Sequence, residues 1–253
     1  MLKFHLANTN SNTFILVDAL DTKLNSEAFQ KIHAYLIQEN RDDALILTDK
    51  EEQGSFLIAT MRVLGQDNTF AEFCGNGALA CGAYLFKYHP RFTRFSLKTA
   101  QGLHPLLSCG EGIYSITLPL PSRKINPLFI ADNGALCHKE NLAYVEVIEP
   151  HLVIEGNYTE EELLKKGREL NTLKSIFPRG INLNAYHINQ EGICYVKTYE
   201  RGVQRLTAAC GTGSIACAFA LGCRETKIST QGGCLEVKLH PHGVELKGSP
   251  TLL

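Results

Sequence analysis

The stretch Tyr199–Ala218, YERGVQRLTAACGTGSIACA, decides how this chain is read. It opens as the end of a strand, turns at Gly202, and passes through Cys-Gly-Thr-Gly into small apolar residues from Ser214 to Leu221. That run suits a buried helix, and Cys210 stands where the helix begins. Gly211 and Gly213 let the backbone turn sharply and let a ligand come close to bare N–H groups. A helix start offers unpaired N–H donors and partial positive charge, a seat for a carboxylate. The same field is expected to lower a cysteine there from its usual pKa of about 8.5. One short segment thus offers an anion seat and a reactive sulfur side by side.

The chain carries the pattern twice. Phe73–Tyr84 reads FCGNGALACGAY, with Cys74 ahead of Gly75, Asn76 and Gly77 and another small-residue helix. Each helix has a further cysteine seven residues on, Cys81 and Cys217. Each is followed by a Gln-Gly before an alternating stretch, TAQGLHPLLS at 99–108 and STQGGCLEVKL at 229–239. One CGxG is most simply a helix start with a buried cysteine. Two, with the same glycine spacing and the same sequel, imply an internal duplication.

CGNG at 74–77, taken with YERG and ACGTG between Tyr199 and Gly213, resembles the diaminopimelate epimerase family, cofactor-independent amino-acid epimerases. The resemblance covers nearly the whole chain. It implies an α+β fold of two pseudo-symmetric domains, each a mixed or antiparallel sheet wrapped around a central helix headed by a catalytic cysteine. The domains expected are 1–118 and 119–247, with 248–253 returning to the first as a strand. The implied activity interconverts LL- and meso-diaminopimelate, in lysine and peptidoglycan precursor biosynthesis, by α-proton transfer between two cysteines and without a cofactor. Cys74 and Cys210 match the catalytic positions. Asn12, Gly75, Asn76, Asn182, Glu200, Arg201, Gly211 and Thr212 match substrate positions. Glu200 is expected on a distal ammonium of the substrate and Arg201 on a distal carboxylate. The two cysteines are expected to face each other across a cleft.

The chain departs from the family at four places. Ala44 stands at a contact position after Asp43, Gly65 replaces an asparagine, and Leu79 follows CGNGA where the family has an arginine. The family's V-x-x-G-N-P-H-x-V is VEVIEPHLV here, anchored by Pro150 and His151. That puts Glu149 at a substrate-binding asparagine. With Glu200, Arg201 and Asn182 retained, Glu149 is expected to turn outward.

The residues themselves carry the chemistry without the resemblance. Inverting an α-carbon removes a proton from one face and returns one to the other. A thiolate as base and a thiol as acid suit both halves when a helix terminus brings them near neutrality. Backbone N–H groups at Gly75, Asn76, Gly211 and Thr212 are placed to hold the charge that develops on the carboxylate. No lysine or phosphate-cup motif identifies pyridoxal phosphate.

Composition narrows the classes. The chain has 253 residues, is 44% hydrophobic and carries a formal net charge of −1. That balance argues against nucleic acid or an anionic membrane as the main partner. No apolar run approaches the ~20 residues of a membrane span, and the first residues lack a signal-peptide core. A cytoplasmic location is therefore expected. Nine cysteines, scattered and without a CxxC pair, argue against a disulfide framework and structural zinc. No metal site is expected, and a small amino acid is the expected ligand. The residues are silent on oligomeric state; the resemblance implies a homodimer. Two alternatives stay open: racemisation of another amino acid by the same two-thiol chemistry, and a non-catalytic amino-acid-binding relative.

Locally, strands are read at 2–7 and 14–19 around the polar turn NTNSNTF, and a helix at Ser26–Glu39 capped by Ser26. A second helix, Thr159–Leu170, carries a capping box from Thr159 to Glu162. The Pro-rich LPLPSRKINP at 118–127 reads as the linker.

Overall fold

The computed structural model describes residues 2–124 and 142–253. The chain forms two compact units, Met1–Leu118 with Lys247–Leu253, and Pro119–Leu246.

The first unit begins with an antiparallel hairpin, β1 (Lys3–Thr9) and β2 (Asn12–Asp18). Its two-residue turn is Asn10-Ser11, with φ of 52° and 65°, the left-handed backbone that matches the twist of the flanking strands. Asn12 is thus the first residue of β2. Helix α1 (Ser26–Gln38) is capped by Asn25, not Ser26; the Asn25 side chain accepts from the Ala28 N–H at 2.9 Å. Ile32 and Leu36 pack α1 against Ile15, Val17, Ala44 and Ile46. The chain then crosses to β3 (Asp43–Gln53), parallel to β2, and returns as β4 (Phe56–Gly65), antiparallel to β3. The short β5 (Phe70–Ala71) pairs with the end of β4. Helix α2 (Gly75–Tyr88) follows, then β6 (Arg94–Thr99), parallel to β4. Strands β7 (Gly102–Gly110) and β8 (Ile113–Leu118) complete an antiparallel meander.

The second unit opens with β9 (Ser122–Lys124), paired to β10 (Ala143–Val147). Part of the stretch expected as a linker is therefore strand; its residues 125–127 lie outside the described residues. From β10 the path of the first unit recurs pairing by pairing. Strand β11 (Glu149–Glu155) forms a hairpin with β10, helix α3 (Glu160–Thr172) crosses over, and β12 (Asn182–Ile188) lies parallel to β11. Strand β13 (Cys194–Glu200) is antiparallel to β12 and carries the short β14 (Arg205–Thr207) at its end. Strand β14 forms where the sequence predicts only a turn. Helix α4 (Gly211–Leu221) leads to β15 (Glu225–Thr230), parallel to β13, and β16 (Gly233–His240), antiparallel to β15. After β17 (Gly243–Gly248), β18 (Thr251–Leu252) pairs with β1 in the first unit.

Helices α2 and α4 occupy the same place in this order, and both are buried. Every residue of α2 from Gly75 to Leu85 is buried, as is every residue of α4 from Gly211 to Ala218. A helix with no polar face belongs inside a core. Helix α2 packs on β1, β2, β3, β6, β7 and β8, and α4 on β10–β13, β15 and β16. Helices α1 and α3 are amphipathic; α1 lies on β2 and β3, and α3 on β12, β13 and β14. The Thr159–Glu162 capping box at the head of α3 forms in both directions. Among the described residues no helix is long and apolar enough to cross a membrane.

One glycine sets how α3 lies on the sheet. A Cβ at Gly167 would overlap the ring of Tyr199, a fully buried side chain of β13. Gly167→Ala should therefore destabilise the fold by about 1–3 kcal/mol, read as a lower denaturant midpoint. An unchanged midpoint would show that α3 has room to lift.

Candidate active site

Cys74 and Cys210 are the N-cap residues of α2 and α4, with nearly the same backbone, φ −140°, ψ 111° and φ −125°, ψ 116°. Each sulfur accepts the N–H of the residue three further on, from Gly77 at 3.3 Å and from Gly213 at 3.4 Å. Each carbonyl accepts the next N–H, from Ala78 and Ser214, both at 2.9 Å. The thiols thus do the work that Ser, Thr or Asp does at most helix starts. N–H groups at Gly75 and Asn76, and at Gly211 and Thr212, are left with no acceptor inside their own helix.

The glycines serve a different purpose from the turn expected. None of Gly75, Gly77, Gly211 and Gly213 has positive φ. Gly77 and Gly213 are needed for close approach: a Cβ at 77 would meet Leu45 at 2.5 Å, and one at 213 would overlap Asn184.

In the first unit, the structure gathers Asn12, Cys74, Gly75 and Asn76 at the head of α2. Asn76 is buried; its amide donates to Asn12 Oδ1 at 2.6 Å, and its oxygen accepts from Asn10 at 3.5 Å. The β1–β2 hairpin is tied in this way to the helix start. Of the departures, Ala44 and Leu79 are fully buried core residues.

In the second unit, Asn182, Glu200, Arg201, Cys210, Gly211 and Thr212 come together. Asn182, 1% exposed, opens β12, and its Oδ1 accepts the Arg201 N–H at 2.9 Å. Glu200 closes β13 and accepts from Thr207 on β14 at 2.6 Å. Thr212 Oγ1 lies 3.5 Å from Cys210 Sγ.

The expectation for Glu149 is overturned. Its side chain turns inward: Oε2 accepts from Asn182 Nδ2 at 2.9 Å and Oε1 lies 3.2 Å from Arg201 Nη2. The Arg201 Nη1 donates to the Arg179 carbonyl at 2.6 Å. A buried amide and a half-buried guanidinium together hold the carboxylate, which the retained residue types alone did not reveal. Ile148, where the resemblance places a glycine, has φ 64°. The register of the motif holds, and a β-branched residue accepts strain to keep it.

Burial wins over the helix terminus at Cys210. Its thiol is pushed well above the ordinary value, first by burial and then by the Glu200 charge; the Thr212 hydroxyl and Gly213 N–H oppose this without reversing it. Burial likewise raises Glu200, against hydrogen bonds from Thr207 and the Cys210 thiol. In the ligand-free chain Cys210 is therefore a protonated thiol beside a buried carboxyl, not the activated thiolate expected from the helix field alone. His151 is pushed down to about 3, by burial and by the Arg201 charge, and stays neutral. Cys81 and Cys217 are fully buried and raised by burial, as inert packing groups are.

A buried polar network under α4 escaped the sequence reading. Asn184 receives Thr198 Oγ1 at 3.0 Å and lies 3.1 Å from His151 Nδ1. The signal was present in INLNA at 181–185, where Asn182 and Asn184 place two amides on one face of a buried strand.

The fold is that of phenazine-biosynthesis and racemase-type proteins. The Bacillus anthracis phenazine biosynthesis protein of the PhzF family superposes with TM-score 0.70 at 12% identity, covering 100% of this chain and 96% of that one. A hydroxyproline epimerase from Agrobacterium vitis superposes with TM-score 0.70 at 11% identity, covering 100% and 89%. By sequence, the chain is 26% identical to a diaminopimelate epimerase of Clostridium acetobutylicum over 96% of this chain and 81% of that protein. It is 29% identical to one of Methanocella arvoryzae over 93% and 89%. No family model matches the chain. The likeness to diaminopimelate epimerases thus extends over nearly the whole length, as the cysteine motifs indicate.

The pairing of Cys210 with Glu200 has a chemical consequence. Iodoacetamide near neutral pH should modify the exposed Cys109 well before Cys210. Glu200→Gln removes a charge that raises the thiol, so Cys210 should then react severalfold faster relative to Cys109. Peptide mass spectrometry reads the ratio; an unchanged ratio would mean that Glu200 does not govern this thiol.

Proposed function

We propose that this protein is an isomerase that inverts the α-carbon of an amino acid without a cofactor, with Cys74 and Cys210 as its two acid–base groups. The observation that carries the reading is the repeated N-cap: two sulfurs in matching backbone geometry, each at the head of a buried helix, in a chain that resembles epimerases throughout. The finer architecture belongs to the same proposal: two pseudo-symmetric domains presenting their cysteine helices to one substrate. A thiolate takes the α-proton from one face, and the opposite thiol delivers its own proton to the other. The electron pair left on carbon spreads into the substrate carboxylate, where N–H groups of the helix starts stabilise it. After one turnover the protonation states of the two sulfurs have exchanged, so the enzyme is then set for the reverse direction.

The state of Cys210 fits this cycle. Before substrate binds, it is a thiol and serves as the acid, leaving Cys74 as the first base. An ammonium arriving at Glu200 offsets the charge that raises Cys210, which brings its thiolate within reach. Asn12 and Asn76 form the polar wall beside Cys74, and Asn182, Glu200 and Arg201 the wall beside Cys210. The name shared by the relatives makes diaminopimelate the first substrate to assay. One specific observation favours the same chemistry on another amino acid: Glu149 already holds Arg201 and Asn182.

Cys74→Ala and Cys210→Ala should each lower inversion by at least about 10², measured as the change in optical rotation of the substrate. Cys→Ser variants should retain more α-proton exchange than the alanine variants, because a hydroxyl, though a far poorer base, can still carry a proton. Full inversion by either alanine variant would remove its cysteine from the mechanism.

A further inference from the structure

The residues that would recognise the far end of the substrate are already engaged with one another. Glu149 receives the Asn182 amide on one oxygen and the Arg201 guanidinium on the other. The Glu149 and Arg201 side chains are 17% and 16% exposed, so water does little to screen the pair. A second carboxyl, Glu200, follows on the same side of the site, close enough that both acids act on Cys210. Arg205, across the β13–β14 pairing from Glu200, is exposed. The half-buried Glu149 and Arg201 are thus matched to each other, and the Arg205 charge acts on Glu200. Ile148, with φ of 64°, is held in a strained conformation at the end of the β10–β11 hairpin beside this pair.

From this we infer that Glu149 is a specificity residue, and that the site takes an α-amino acid whose side chain ends in a cation, not in a second carboxylate. The inference rests on the epimerase reading for its chemistry and changes the substrate. A side-chain carboxylate entering the Arg201 seat has to displace Glu149 from two hydrogen bonds and then lie beside it as a like charge. A terminal ammonium needs neither step. It joins Glu149 as a third donor, beside the Asn182 amide and the Arg201 guanidinium. The carboxylate of Glu149 offers only acceptors in this state, whereas an amide at the same position offers a donor to an incoming carboxylate. One side chain thus sets whether the far end of the pocket accepts or donates.

Calorimetric titration with L-lysine and with meso-diaminopimelate tests this on the wild-type protein and on Glu149→Gln and Glu149→Asn. α-Deuterium incorporation from D2O is followed for the same six combinations. In the wild type, lysine should bind at least about tenfold more tightly than diaminopimelate. Either amide variant should gain at least about tenfold for diaminopimelate and lose as much for lysine. Using both variants, each with its thermal midpoint checked, keeps a single misfolded protein from deciding the outcome. Tighter binding of diaminopimelate by the wild type, weakened in both variants, overturns the inference and makes Glu149 a ligand for that substrate. Binding of neither compound also overturns it. Lysine-selective binding without α-deuterium in any combination leaves the seat as assigned and sinks the epimerase reading instead.

Discussion

A hydrogen bond from a helical N–H to a cysteine sulfur holds the site of this protein together, and the chain makes it twice. The N-cap position fixes the sulfur at the helix mouth, where its neighbours are backbone donors. It also requires a glycine three residues later, because the capped N–H belongs to a residue pressed against the sheet. Leu45 lies over Gly77, and Asn184 over Gly213. The cysteine, the helix start and the strand below it are one packing unit, so the chemistry cannot be separated from the core that positions it.

Two effects compete at such a sulfur, and burial decides the contest at Cys210. The field of a helix terminus falls off within a turn and is modest, whereas removing a thiolate from water is costly at every point of a closed core. A buried acid beside the thiol adds to the same side. The outcome is a pair, Cys210 and Glu200, whose acidity is set by what enters the site. On the proposed reading, a cation arriving at Glu200 lowers the Cys210 thiol and so couples recognition to activation of the base.

Much of the architecture was legible because it is written in local patterns. Small-residue runs after CGNG and CGTG announce buried helices, and Thr159 with Glu162 announces the start of α3. The duplicated order of pairings follows from the repeated segments. What could not be read is where side chains turn when several partners compete. Glu149 looked like an intruder to be turned to solvent; in three dimensions it meets two donors, the Asn182 amide and the Arg201 guanidinium. Asn25 caps α1 although Ser26 was equally eligible by type, and β14 pairs with β13 beyond the point where β15 leaves it. The acidity of Cys210 depends on burial, which no motif records.

The central claim is that two different sulfurs move the proton off and onto one carbon. Its most direct test follows a single stereoisomer of the true substrate in D2O to low conversion and measures deuterium in both isomers. The account predicts a product carrying deuterium at the α-carbon while the recovered starting isomer keeps its protium, because separate thiols take and deliver. Deuterium spread evenly between the two isomers, or protium retained in the product, would place both transfers on one group and contradict it.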